Sequence, residues 1–150
     1  MRLTDGLIDL GDGIDVRVGT DVQSIHEVED AVRRHGERYL TRLFTAHEID
    51  SCGGRTAPPE TAAPSLAARF AAKEAMIKLL RPTTVVPTWK EMEVRRHPEG
   101  WSEVVLSGAA AELAQAHQFF SYSLSLTHGA GVGMAIVVGL RRPAPSDGGE

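Results

Sequence analysis

The stretch Arg69-Phe70-Ala71-Ala72-Lys73-Glu74-Ala75-Met76-Ile77-Lys78 constrains this chain more than any other. It lies in a run from about Ser65 to Leu80 that is dense in helix formers and contains neither Gly nor Pro. Leu66, Phe70, Ile77 and Leu80 recur at helical spacing and make one apolar stripe. Met76, Leu79 and the alanines cover most of the remaining surface, so the spacing predicts a helix buried nearly all round. Four charges interrupt it: Arg69, Lys73, Glu74 and Lys78. At about 100° per residue, Glu74 falls close to the Phe70 and Ile77 direction. An isolated buried charge is too costly to keep, so this carboxylate must be paired, hydrogen-bonded or metal-bound. Pairing of Glu74 with Lys78, four residues on, is the plain structural reading.

A chain of 150 residues fits one domain with a real core; its ordered part is expected over about 14–140. The net charge of -4 argues against a general nucleic-acid binder. One cysteine, Cys52, permits no intrachain disulfide, which fits a reducing cytoplasm. No apolar run is long enough to span a bilayer. Met1 to Gly13 carries three aspartates and no apolar core segment, so it does not read as a signal peptide. The segment Arg141 to Glu150, rich in Pro, Gly and Ser, reads as a frayed tail.

Asp15 to about Gln23 alternates Val16, Val18, Thr20 and Val22 with Arg17, Gly19, Asp21 and Gln23, which predicts a half-buried strand. Asp21 then sits near its C-terminal end on the polar face, as a solvated carboxylate or a ligand. Ser24 and Glu27 form a capping-box pattern that opens a helix, with Val28, Ala31 and Val32 inward. Its outer face is acidic early (Glu27, Glu29, Asp30) and basic later (Arg33, Arg34). Thr45-Ala46-His47-Glu48 repeats the capping pattern, and Gly53 to Pro64 reads as a loop. Glu91 to Arg95 and Trp101 to Leu106 read as two strands around the turn His97-Pro98-Glu99-Gly100, with Trp101 expected in the core. Ser107 is positioned to cap a short helix reaching about His117. Phe120, Tyr122, Leu124 and Leu126 alternate with serines and Thr127, predicting a strand with one buried face. His128-Gly129-Ala130-Gly131 returns the chain into Val132 to Leu140, an antiparallel hairpin.

Three segments in order carry a resemblance: Val18-Gly19-Thr20-Asp21-Val22, the run Arg69 to Lys78, and Ser123 to His128 with the strand after it. Together they resemble the 4′-phosphopantetheinyl transferases, most closely the short holo-acyl-carrier-protein synthase type. The likeness covers roughly Asp15 to Leu140. It implies an α+β fold, a small antiparallel sheet packed on a long central helix. It implies transfer of 4′-phosphopantetheine from coenzyme A to a serine of apo-acyl carrier protein, with release of 3′,5′-ADP. Asp21 and Glu74 would then ligate Mg²⁺, Glu74 would act as base directly or through a metal-bound water, and Lys78 would stabilise or protonate the leaving phosphate. Arg69, Lys73 and His128 would bind coenzyme A, although either cation may instead pair with a carboxylate and His128 may be a plain turn residue. Short members commonly form homotrimers with coenzyme A between subunits. The chain departs from the family at Glu27, where many members carry a basic residue for docking the carrier. A non-catalytic relative that binds carrier protein or coenzyme A is therefore the alternative, with Arg33, Arg34, Arg38 and Arg42 as a displaced basic surface. The carrier's pathway (fatty-acid, polyketide or peptide synthesis) is left open.

Overall fold

A 22-residue helix laid across one face of an antiparallel sheet sets the architecture. The computed structural model describes residues 2–4, 7–9 and 13–142. Strands β1 (Arg2–Thr4) and β2 (Leu7–Asp9) pair with each other. The expectations for the remaining residues of Met1 to Gly13, and for the tail beyond 142, lie outside the described residues. The main sheet has the order β3-β7-β6-β5-β4 and is antiparallel throughout. Its strands are β3 (Asp15–Ser24), β4 (Met92–Arg96), β5 (Ser102–Leu106), β6 (Phe119–Gly129) and β7 (Val132–Arg141). The helices are α1 (Ile25–His35), α2 (Glu37–Leu43), α3 (Ala46–Ser51), α4 (Pro59–Leu80) and α5 (Gly108–Ala116), with a 3-10 turn at Trp89–Glu91. This is the expected α+β class. No helix among the described residues is long and apolar enough to cross a membrane.

Helix α4 is the spine, buried nearly all round as its composition requires: Leu66, Met76, Leu79 and Leu80 are at most 1% exposed. Each such side chain contributes about 1.5–3 kcal/mol relative to an exposed one. Contact with the sheet is close because the facing positions lack a Cβ. A Cβ on Gly19 would collide with the Ala75 carbonyl oxygen, and one on Gly133 with the Ala68 amide nitrogen. β3 and β7 therefore sit against the helix backbone itself.

Several boundaries differ from the sequence expectation. α4 starts at Pro59, within the segment expected to be a loop. Proline suits the first helical position, where its missing N–H has no partner anyway. Pro64 cannot donate to the Glu60 carbonyl, and the helix continues through that lost bond because its next turns are buried. Phe120 is 49% exposed, not buried. The register slips between Phe119 and Ser121, so Phe120 is the extra residue of a bulge and Phe119 takes the inward place. Trp101 is 51% exposed rather than core, stacked on His97 in the β4–β5 turn. Ser24 caps α1 with its hydroxyl alone, accepting from Glu27 N. Ser107 occupies the cap position of α5 without a side-chain bond; Glu91 does the work, accepting from Ala109 N at 3.0 Å. The β6–β7 return is a two-residue turn, Ala130-Gly131, with φ positive at both (49° and 81°), the twist that hairpins favour.

Candidate active site

Three of the expected residues converge where β3 meets α4. Lys78 Nζ donates to Asp21 Oδ1 at 2.8 Å and to the Thr20 carbonyl at 2.9 Å. Gln23 Nε2 donates to Asp21 Oδ2 at 2.6 Å. The alternation of β3 turns Asp21 toward the helix, and Gly19, two residues earlier, brings the strand against Ala75. Glu74 is half-buried on the adjoining helix turn. Its partial burial first, and the Asp21 carboxylate second, push the Glu74 carboxyl above its ordinary range, while Lys78 pulls it back. The simple pairing of Glu74 with Lys78 is not what forms: Lys78 reaches across to the sheet. The corner thus holds two carboxylates, one of raised pKa, and an ammonium on a 53%-exposed side chain.

Asp21 and Glu74 are chemically suited to a magnesium ion, which commonly takes one or two carboxylates and completes its shell with phosphate oxygens and water. Among the described residues no cluster of three or more metal-binding side chains exists, so a metal bound entirely by protein does not fit.

Lys73 is placed elsewhere. It is fully buried and its three N–H donors go to Glu48 Oε2 (2.9 Å), Trp89 O (2.8 Å) and Met92 O (2.9 Å). Glu48 is equally buried and accepts from Thr45 N and Val94 N as well. Burial lowers the Lys73 pKa, and the Glu48 carboxylate beside it works the other way. An ammonium with every donor satisfied inside the core has none left for a ligand phosphate. The expectation that Lys73 binds coenzyme A is corrected accordingly: Lys73 ties α4 to α3 and β4.

Arg69 and His128 meet on the other flank of α4. With Arg96, Ser65, Ser102 and Thr127 they line a polar cavity of about 320 Å³. Arg69 is 7% exposed; among the described residues its Nε–H has no partner, and its one internal bond is Nη1 to Ser65 O at 3.4 Å. A guanidinium in the wall of a polar cavity suits an anionic oxygen. Sequence reasoning missed Arg96, Gln23 and the buried role of Glu48. Only Glu48 carried a signal, as the acidic member of the Thr45 capping box, and both halves of that box form.

Residues 17–134 match the model of the 4′-phosphopantetheinyl transferase superfamily. The holo-[acyl-carrier-protein] synthase of Myxococcus xanthus is 40% identical over 124 residues, 81% of this chain and 91% of its own. That of Dehalococcoides mccartyi (strain CBDB1) is 40% identical over 120 residues, 80% of this chain and 94% of its own. Among solved structures, the coenzyme A complex of the Chronobacterium ammoniagenes synthase superposes with a TM-score of 0.71 at 25% identity, covering 86% of this chain and 98% of that one. With three motif segments in order, the same α+β frame and these matches over most of its length, the chain belongs to the 4′-phosphopantetheinyl transferase superfamily and is an enzyme of the phosphopantetheinyl transferase class.

Proposed function

We propose that this chain is a holo-[acyl-carrier-protein] synthase that moves 4′-phosphopantetheine from coenzyme A to a serine of apo-acyl carrier protein and releases 3′,5′-ADP, in the cytoplasm. The observation that carries this is the convergence of Asp21, Glu74 and Lys78 at the β3–α4 contact. Glu74, with its raised pKa, takes the proton of the carrier serine. Lys78 has two of its three donors engaged, on Thr20 O and Asp21, and offers the third to the leaving phosphate. Asp21, fixed by Lys78 and Gln23, keeps lone pairs beyond those two bonds. Mg²⁺ held by Asp21 and Glu74 would offset the charge of the pyrophosphate during attack. Arg69 and His128 bind coenzyme A; their shared polar cavity supports this, and the similar synthase of Chronobacterium ammoniagenes is known with coenzyme A bound.

The proposal includes a homotrimer with coenzyme A between subunits, and two features support self-association. Arg69 and Glu74 point about 140° apart around α4, so one subunit turns its two half-sites to opposite flanks. The outward face of β3 and β7 is apolar and exposed at Val18 (53%), Val22 (54%), Met134 (43%) and Ile136 (40%), with Val22 registered against Met134. A continuous apolar face of this kind marks an association surface.

The acidic start of α1 supports the non-catalytic alternative less than its sequence suggests. Glu29 is bound by Arg33, which also meets Glu60 at 3.2 Å, and Asp30 lies 3.5 Å from His26. Arg34, Arg38 and Arg42 make no ion pair among the described residues, and His35, Arg38, Tyr39 and Arg42 line a cavity of about 290 Å³. These arginines supply the basic surface for an acidic carrier.

The test is intact mass of purified apo-acyl carrier protein after incubation with this protein, coenzyme A and Mg²⁺. A gain of one phosphopantetheine is expected with the wild type, and none with Glu74→Ala or in EDTA. No gain across several apo-carriers with folded protein would overturn the reading.

A further inference from the structure

Gln23 belongs to the β3–α4 corner, yet the transfer chemistry gives it no task. The alternation of β3 puts it on the same face as Asp21, two residues on. Among the described residues its one side-chain hydrogen bond runs from Nε2 to Asp21 Oδ2, at 2.6 Å. Its backbone is held on both sides. Gln23 pairs with Gly133 in the β3–β7 ladder, and the next residue, Ser24, accepts from Glu27 N to cap α1. The amide is therefore carried on a fixed strand end, where a side chain can be placed closely.

The neighbours explain why this bond falls to Gln23. The cross-strand partners of Asp21 and Gln23 are Ala135 and Gly133, so these positions of β7 offer the carboxylate no polar side chain. Lys78 holds Oδ1 from α4, but its side chain is 53% exposed and it also serves Thr20 O. A carboxylate oriented by Lys78 alone would swing free whenever that long chain moved. Gln23 holds the other oxygen independently of Lys78. It is also uncharged. A lysine or arginine at this position would compete with a cation for Asp21, and a glutamate would repel the carboxylate. A neutral donor fixes the ligand and leaves its charge for the ion, as the hydrogen-bonding partners of metal-binding carboxylates do.

We propose that Gln23 is a positioning residue, which orients the Asp21 carboxylate for a divalent cation by holding its Oδ2. This rests on the metal reading above and adds the residue that sets how tightly the ion is held.

Mn²⁺ is the probe, titrated into the full chain with coenzyme A present, the free ion being counted by electron paramagnetic resonance. Gln23→Met keeps the length of the side chain and removes the donor. It weakens Mn²⁺ by about tenfold, the scale on which such outer partners act, and the Mg²⁺ concentration that half-saturates transfer rises with it. The wild type gives a second readout. The chain has three glutamines and no asparagine, so its nitrogen–proton spectrum holds three side-chain amide pairs. Gln115→Met and Gln118→Met, both at exposed positions, assign the third pair to Gln23 by elimination. Mn²⁺ broadens that pair at lower concentration than the other two. Wild-type Mn²⁺ affinity in folded Gln23→Met would overturn the positioning role, whatever its stability, and leave the transferase reading standing. No Mn²⁺ bound by the wild type would bring down the metal reading and the proposal with it. Should Gln23→Met not fold, the amide pairs decide, and a Gln23 pair left sharp at saturating Mn²⁺ overturns the proposal.

Discussion

Two lysines five residues apart on α4 each reach a carboxylate, Lys73 to Glu48 at 2.9 Å and Lys78 to Asp21 at 2.8 Å. The distances are alike and the surroundings are opposite. Lys73 and Glu48 have no exposed side-chain area, whereas Lys78 is 53% exposed and Asp21 14%. The inner pair is saturated by backbone partners and can do nothing but hold α3, α4 and β4 together. The outer pair keeps a donor and lone pairs in reserve beside a carboxyl whose pKa is raised. One motif therefore carries both a structural and a chemical ion pair, and burial decides which is which.

The largest expected effect breaks the inner pair. Lys73→Ala leaves the Glu48 carboxylate buried and uncompensated, which costs about 3–5 kcal/mol. Denaturant unfolding should show that loss, or no folded protein. The double variant Lys73→Met/Glu48→Leu should recover only part of it, because it removes the unpaired charge but leaves Thr45 N, Val94 N and the Trp89 and Met92 carbonyls without their side-chain partners. A Lys73→Ala protein as stable as the wild type would erase the distinction drawn between the two pairs.

How far the sequence foretold this depends on how local each signal was. The alternation of β3 and β6, the Thr45 capping box and the apolar wrap of α4 are written in neighbouring residues, and those elements form. Asp21, Glu74 and Lys78 were legible through motif wording, and the fold brings them together. For Lys73 the sequence leaves coenzyme A binding and carboxylate pairing both open, because its partner, Glu48, lies 25 residues away, a distance no helical or strand period reports. Trp101, expected in the core, lies in a turn that exposes it and stacks it on His97. Phe120 followed the alternation until one bulge residue reversed its face.

Gly19→Ala is the middle case, because it presses on the outer pair without removing a charge. The added Cβ meets the Ala75 carbonyl oxygen, which is helix backbone and cannot rotate away. β3 must shift, at about 1–3 kcal/mol of overpacking strain. Asp21 moves with it, so transfer activity should fall by about 100-fold, the scale on which small misplacements act. Lost stability with full activity would show that the site tolerates displacement of its strand.

On stability, Lys78→Ala should be small. Exposed ion pairs contribute about 0.2–1 kcal/mol, less at high salt. Activity should nevertheless drop by about 100-fold or more, because a donor on developing phosphate charge is lost. A large stability loss with a small activity loss would reverse the roles given to the two lysines.

The smallest expected effect is a titration that reads the inner region alone. Tyr39 packs edge-on to Phe44, with ring centroids 6.4 Å apart, and the Lys73 ammonium lies 5.7 Å from that same Phe44 ring. Burial pushes the Tyr39 phenol up to about 12 from an ordinary value near 10. Because the folded pKa is the raised one, the stability linked to this group is complete below pH 10 and lost as pH climbs toward 12. Tyr122, pushed up to about 12 by its own burial beside β5, is the internal control, the chain having two tyrosines. Phenolate absorbance at pH 10.5 should stay low in the wild type and in Lys78→Ala. In a folded Lys73 variant, such as the double replacement, loosening around Phe44 should bring one tyrosine's titration down toward 10 and leave the other near 12. Equal titration of both tyrosines in every variant would mean that Phe44 does not relay the inner pair's packing to α2, and that the pair's influence ends at α3 and β4.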